Sequence, residues 1–165
     1  MNTPAVITVS DCSLTALSRL LEKYTLTLAL TDNNSDIPGS YWGAPEAGLI
    51  ANKVFVSPDT PVHSLLHETC HYICMDTQRR TQLNTDAAGD YDEENAVCYL
   101  QIILANELTG LSSTQMMHDM DSWGYSFRLG SAKAWFEEDA EDARAWLIRH
   151  QLITQDNKPS YKLRC

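Results

Sequence analysis

Three residues in one short segment have the types and spacing of a metal-dependent hydrolytic site. His67 and His71 lie four positions apart, and Glu68 directly follows the first histidine. Residues four apart on a helix project from the same face, so both imidazole rings can reach one tetrahedral metal ion such as Zn²⁺. Glu68 points about 100° around the helix, where it is badly placed as a ligand but can reach a water molecule beside the metal. The pattern therefore predicts Glu68 as a general base.

The sequence around these histidines favours a helix. Thr60 can cap its first turn, and Pro61 falls at the first helical position, where its missing N–H costs nothing. His63 and Cys74 share the histidine face, whereas the opposite face is mostly apolar and can pack on a core. We expect His63 to be a hydrogen-bonding residue rather than a second metal ligand. Cys70 and Cys74 are expected to be buried thiols rather than ligands.

A third metal ligand has to come from outside this segment, because a catalytic zinc usually has three protein ligands and one open position. A histidine six residues after His71 is excluded, since Thr77 stands there. The other option is a glutamate of the following helix, whose first turn holds Glu93 and Glu94. Glu93 shares its face with apolar residues and points inward, whereas Glu94 lies on a more mixed face. The sequence therefore favours Glu93 as the third ligand.

These motifs together resemble a group of zinc enzymes. The H-E-x-x-H motif at 67–71, followed by Glu93-x-x-Ala96, resembles the gluzincin metallopeptidases and most closely the small bacterial ImmA/IrrE-type peptidases. Those peptidases have Asn or Asp after the alanine, and Val97 stands there in this chain. The resemblance implies Zn²⁺ as cofactor, a peptide or protein substrate, and hydrolysis of the peptide bond by a metal-activated water with Glu68 as base.

The order of predicted elements is similar to the minimal catalytic core of that group. It implies an α+β, zincin-like fold in which a small antiparallel sheet packs against the histidine helix and a glutamate-bearing helix, with additional C-terminal helices. We expect a single domain over residues 1–165 and a loosely held tail from Asp156 onward. Hydrophobic spacing predicts helices over 11–24, 61–75, 91–108, 112–120 and 131–151, and strands over 25–30, 40–43, 48–51 and 54–56.

Two parts of the substrate site stay open at this point. Strand 48–51 or strand 54–56 can pair with an extended peptide. Tyr91, Tyr125 and His118 are candidates for stabilising the negative charge that develops on the carbonyl oxygen.

Composition narrows the range of partners and compartments. The net charge is −10, which argues against a nucleic-acid surface. No apolar run approaches the length of a membrane span, and the first residues lack the basic start and apolar core of a signal peptide. The five cysteines are an odd number, which favours reduced thiols, no disulfides and a cytoplasmic location.

Two functions fit these observations. The first is an active cytoplasmic zinc peptidase. The second is a zincin-fold protein that binds a partner or a metal without turnover, and Val97 in place of the Asn or Asp supports it.

Overall fold

A computed structural model of the chain describes residues 5–33 and 35–165. The first four residues, which belong to the segment inspected for a signal peptide, and Asn34 lie outside the described part. Within that part, seven α-helices and one three-stranded sheet confirm the predicted α+β class. The elements are α1 (Leu14–Glu22), β1 (Thr27–Leu30), β2 (Gly48–Ile50), β3 (Lys53–Val56), α2 (Val62–Cys74), α3 (Thr77–Thr81), α4 (Tyr91–Ala105), α5 (Ser113–Trp123), α6 (Ala132–Glu138) and α7 (Glu141–Arg149).

The sheet is mixed, which corrects the prediction of a purely antiparallel sheet. β2 and β3 form a hairpin through a two-residue turn in which Ala51 has a φ of +53°, a conformation common in such turns. β3 also pairs in parallel with β1, with Leu28 opposite Val54, so the strand order is β1–β3–β2. Val54 and Val56 are fully buried, which is consistent with the central position of β3.

The predicted strand over residues 40–43 is a surface loop instead. Gly39 and Gly43 bracket it with φ values of +75° and +88°, which interrupt an extended conformation. Tyr41 and Trp42 pack edge to face, with 5.0 Å between ring centroids, and Trp42 is 79% exposed. The loop therefore presents two aromatic rings to solvent.

α2 carries the histidines and packs against β2, β3, α4 and α5. It begins at Val62, and Pro61 occupies the N-cap position without a side-chain cap. The predicted cap, Thr60, instead accepts a hydrogen bond from the backbone N–H of Ser57 at 2.9 Å. The apolar side of α2 faces the sheet and the neighbouring helices, as its sequence pattern predicts.

α4 is buried around most of its circumference, because it packs against α2, α5 and α7. The side chain of Asp90 caps its N-terminus by accepting a hydrogen bond from the backbone N–H of Glu93 at 2.9 Å. The helix ends at Ala105, three residues before the predicted end. Since α2 and α4 lie side by side, the first turn of α4 comes close to the histidines.

The C-terminal region differs from the prediction in two ways. The helix predicted over 131–151 is interrupted at Asp139 and Ala140, and the Asp139 carboxylate forms an ion pair with Arg128. The tail is fixed rather than loose, because the backbone N–H of Arg164 donates to the carbonyl of Ile73 at 3.0 Å. The tail therefore contacts the end of the histidine helix.

Buried apolar side chains from the sheet and most of the helices form one connected cluster. No helix in the part of the chain described by the structure has the length and apolarity needed to cross a lipid bilayer.

Candidate metal centre

The side chains of His67 and His71 meet on one face of α2. Their Nε2 atoms lie 3.1 Å apart, and the two ring planes are nearly perpendicular at 88°. This is the result expected from the spacing of four residues, which brings both rings to one side of the helix. Both histidines therefore direct the same nitrogen toward a common point.

Gln101 of α4 determines which nitrogen of His67 is protonated. Its side-chain N–H donates to the backbone carbonyl of His63 at 2.8 Å, so its carbonyl oxygen is the atom that faces His67. That oxygen lies 2.9 Å from Nδ1 of His67 and can only accept a hydrogen bond, so Nδ1 carries the proton. Nε2 of the neutral ring consequently presents a lone pair toward His71, which is the state a metal ligand requires.

Both imidazoles are held neutral by their surroundings. Burial lowers the pKa of His67, and the hydrogen bond to Gln101 and the charge of Glu46 oppose it. Burial, with smaller contributions from His67 and Arg79, holds the pKa of His71 well below its ordinary value. Nδ1 of His71 is buried without a hydrogen-bond partner among the described residues, so this ring lacks the orienting contact that His67 has.

Glu94 of α4 completes a group of three potential ligands. Its Oε2 lies 3.7 Å from Nε2 of His71. The backbone N–H of Gly89 donates to its other oxygen, Oε1, at 2.9 Å and so orients the carboxylate. One ligand atom from each of His67, His71 and Glu94 lies within 4.8 Å of the other two. We call these three residues the metal-binding group.

Glu93 does not join this group, which corrects the choice made from the sequence. It is 2% exposed, as its position on the apolar face predicts. Arg79 donates to both of its carboxylate oxygens at 2.7 Å, and Arg164 donates to one of them at 3.0 Å. A buried carboxylate needs a positively charged partner, and two arginines supply it here. Glu94, one position on, points about 100° away and faces the histidines.

Gly89 allows both glutamates to take these positions. A β-carbon at residue 89 would overlap the carboxylate of Glu93. The same residue provides the backbone N–H that orients Glu94. Any larger side chain at this position would displace one glutamate and disturb its neighbour.

Two of the three separations within the metal-binding group are close to those around a tetrahedral ion. Ligand bonds of roughly 2.0–2.1 Å at tetrahedral angles separate the ligand atoms by roughly 3.3–3.4 Å. The separations here are 3.1 Å between the two Nε2 atoms and 3.7 Å between His71 and Glu94, and the ligand atoms of His67 and Glu94 lie within 4.8 Å of each other. Two neutral imidazoles and a carboxylate suit zinc and other first-row divalent metals. The group can hold a metal ion, and the choice of zinc stays a prediction.

Glu68 lies beside this group with a carboxyl that readily holds a proton. Burial raises its pKa to about 8, and the negative charges of Glu46 and Glu94 add to the effect. A carboxylate whose pKa lies near neutrality is well suited to take a proton from water.

An open cleft passes over the metal-binding group in two lobes. The Asp86 lobe has a volume of about 510 Å³ and is lined on one side by the segment from Thr85 to Gly89. The Trp123 lobe has a volume of about 430 Å³. Trp42, His67 and Glu68 line both lobes, so the candidate base lies where the lobes meet.

Of the three residues considered for the carbonyl oxygen, only Tyr125 lies at the cleft. Its hydroxyl is 3.2 Å from Nδ1 of His63 and 3.4 Å from the side-chain nitrogen of Gln101. Tyr91 is 77% exposed and lines a separate cavity. The side chain of His118 is 70% exposed and pairs with its neighbour Asp119.

His63 and the helix cysteines have the positions expected of them. His63 contacts Tyr125 outside the metal-binding group, and burial lowers its pKa to about 3. Cys70 and Cys74 are fully buried, and burial raises the pKa of both thiols well above the ordinary value. All five cysteines are free.

Neither strand predicted to pair with a substrate has an unpaired edge within the described chain. β3 lies between its two neighbours. The outer edge of β2 is covered, because the backbone N–H of Ala51 donates to Leu83 at 3.0 Å and that of Thr85 donates to Leu49 at 2.9 Å. The segment from Thr85 to Gly89, rather than either strand, lines the cleft.

Three residues of the site were missed from the sequence. Gln101 carried a signal, because it lies seven positions after Glu94 on the same face of α4 and is polar in an apolar stretch. That mixed face is the one that meets the histidines. Gly89 and Glu46 lie in loops. Because loop residues follow no periodic pattern, the sequence did not indicate that these two residues belong to the site.

Comparison with models of protein families, with curated proteins and with solved structures finds no match to this chain. The interpretation of the site therefore depends on its residues and their geometry.

Proposed function

We propose that this protein hydrolyses peptide bonds, with zinc held by His67, His71 and Glu94 and with Glu68 as the general base. One observation carries the proposal: the metal-binding group and the carboxyl group of Glu68 meet in a cleft open to solvent. A bound zinc ion would polarise the carbonyl of the substrate and make a water molecule more acidic. Glu68 would take a proton from the attacking water and deliver it to the leaving amine.

The proposal keeps the resemblance to gluzincins and weakens the one to ImmA/IrrE-type peptidases. With Glu94 as the ligand, the residue three positions on is Val97 rather than Ala96. Cys98 then stands where that family has Asn or Asp. The H-E-x-x-H motif and the geometry around it support the broader group only.

A chelator experiment with one variant tests the proposal. Zinc-loaded wild-type protein should cleave members of a mixed peptide library, lose this activity with a chelator and regain it with zinc. Glu68→Gln should keep its zinc and its fold but lose at least about 100-fold in turnover, because the base is gone while every ligand remains. Turnover at the wild-type rate by zinc-loaded Glu68→Gln would contradict the mechanism.

A second function, metal binding without turnover, has two observations in its favour. Nδ1 of His71 has no partner among the described residues, and the hydroxyl of Tyr125 is engaged by His63 and Gln101. This function predicts stoichiometric zinc together with no cleavage of any peptide in the same experiment.

A further inference from the structure

The carboxylate of Glu46 is a feature of the Trp123 lobe that the proposed hydrolysis does not use. Its Oε2 accepts a hydrogen bond from the hydroxyl of Ser64 and its Oε1 accepts one from the indole N–H of Trp123, both at 2.6 Å. The Ser64 oxygen also accepts from the backbone N–H of Ala47 at 2.9 Å, so its single proton is committed to Glu46. The carboxylate is thus fixed in position, and each oxygen retains room for a further donor.

No positively charged side chain among the residues that the structure describes forms an ion pair with Glu46. Both of its hydrogen-bond donors are neutral, and the described residues that line the two lobes include no lysine or arginine. Its carboxylate lines the same lobe as His67 and Glu68, beside the place where a substrate would be cut. Glu46 lies outside the metal-binding group, so a metal ion held there would pair first with the carboxylate of its own ligand, Glu94.

The walls of the Trp123 lobe suit the same kind of ligand. Trp42, Trp123 and Tyr125 contribute aromatic surface around Glu46. Aromatic faces attract ammonium and guanidinium groups, and tryptophan does so most strongly. The volume of about 430 Å³ lies in the range of pockets that bind small ligands.

We infer that the Trp123 lobe binds a positively charged group of the substrate beside the scissile bond, with Glu46 as the residue that determines this specificity. The inference rests on the proposed peptide hydrolysis and names its substrate class: peptides with an ammonium or guanidinium group next to the bond that is cut. The charge can come from a lysine or arginine side chain or from a free N-terminus. Both offer N–H donors and a positive charge to the same carboxylate.

Binding measurements with four matched peptides test the inference. Zinc-loaded Glu68→Gln protein is used so that no peptide is consumed, and tryptophan fluorescence reports binding. Three N-acetylated peptides differ only in a central lysine, arginine or norleucine, and the fourth is the norleucine peptide with a free N-terminus. At least one charged peptide should bind about tenfold more tightly than the acetylated norleucine peptide. Which charged peptide gains shows whether the side chain or the N-terminus is the source.

Adding Glu46→Gln should abolish this preference. Glutamine can keep both hydrogen bonds, since its oxygen accepts from Trp123 and its N–H donates to Ser64. Unchanged zinc content and unfolding temperature would show that the site itself is intact. Asp86→Asn is the matched control, because it removes one charge from the other lobe and should leave the preference within about twofold.

Four binding results would each overturn the inference: equal binding of all four peptides, no binding of any of them, a preference that survives Glu46→Gln, or an equal loss of preference in Asp86→Asn. Cleavage of charged and neutral peptides at equal rates by wild-type protein would refute this specificity and leave the hydrolysis standing. A preference that depends on Glu46, together with no cleavage by wild-type protein, would refute the hydrolysis alone.

Discussion

At the scale of single residues, Gln101 connects the two helices that carry the metal-binding group. Its side chain donates to the carbonyl of His63 and accepts from Nδ1–H of His67, so the amide cannot rotate without losing one of the two bonds. A histidine held in this way keeps one tautomer and one ring orientation. Loss of such a partner typically lowers metal affinity by roughly 10- to 100-fold.

We therefore expect Gln101→Leu to lower zinc affinity by roughly 10- to 100-fold. Competition with a chromogenic chelator, well below the unfolding temperature, measures the change. Gln101→Glu is the control, because it restores an acceptor for Nδ1–H of His67 and should recover most of the affinity. Wild-type affinity in Gln101→Leu would show that His67 does not bind the metal in the way described.

The choice between Glu93 and Glu94 shows where a residue-level argument from sequence reaches its limit. Helical direction correctly places Glu93 inside the protein, and an inward carboxylate does require a positive charge. Arginine meets this need as well as a metal ion does. Arg79 and Arg164 lie 14 and 71 positions away, so the sequence near α4 gives no sign of them.

At the scale of elements, α2 and α4 were predictable because their apolar residues recur at helical spacing over several turns. The parallel pairing of β1 with β3 could not be predicted, because β2 and β3 are both short and apolar and either could pair with β1. The sequence pattern alone does not show which of them lies beside β1. The break between α6 and α7 could not be predicted either, because the apolar spacing continues across Asp139. The ion pair of Asp139 with Arg128 is a tertiary contact that the local sequence does not show.

The buried ion pairs of Glu93 hold α4 to α3 and to the tail, so breaking them should cost stability. Glu93→Gln should lower the free energy of unfolding by about 2–3 kcal/mol in urea. This loss of stability is smaller than that expected from breaking a fully buried ion pair, because the side chain of Arg79 is about one-third exposed. Lys133→Ala is the matched control, since it removes a surface pair with Glu137 and should change stability by less than about 0.5 kcal/mol. Losses of equal size in the two variants would contradict the role given to Glu93.

At the scale of the whole molecule, one residue of the tail ties several helices together. Arg164 contacts the carbonyls of Ile73 and Cys74 at the end of α2 and the carboxylate of Glu93 on α4. Its guanidinium also lies 5.0 Å from the ring centroid of Trp146 on α7. The polar composition of the tail predicts loose attachment. The sequence does not reveal the contacts that fix the tail, because its partners are all distant in sequence.

The burial of the thiols predicts how the whole protein reacts with a thiol reagent. Cys165 is exposed and should react rapidly in the folded protein. Cys70 and Cys74 should react only after unfolding, because they are buried and their pKa values are raised well above normal, so little thiolate forms. Titration after unfolding without reductant should find all five thiols. A lower total would reveal a disulfide and contradict the free state of the cysteines.

The position of a bound zinc ion tests the central claim most directly. In crystals of zinc-loaded protein, anomalous scattering at the zinc edge should locate one ion bonded to Nε2 of His67, Nε2 of His71 and a carboxylate oxygen of Glu94. Each bond should measure roughly 2.0–2.2 Å, and Glu93 should remain paired with its two arginines. An ion bound by Glu93, or zinc located away from the two histidines, would contradict the account.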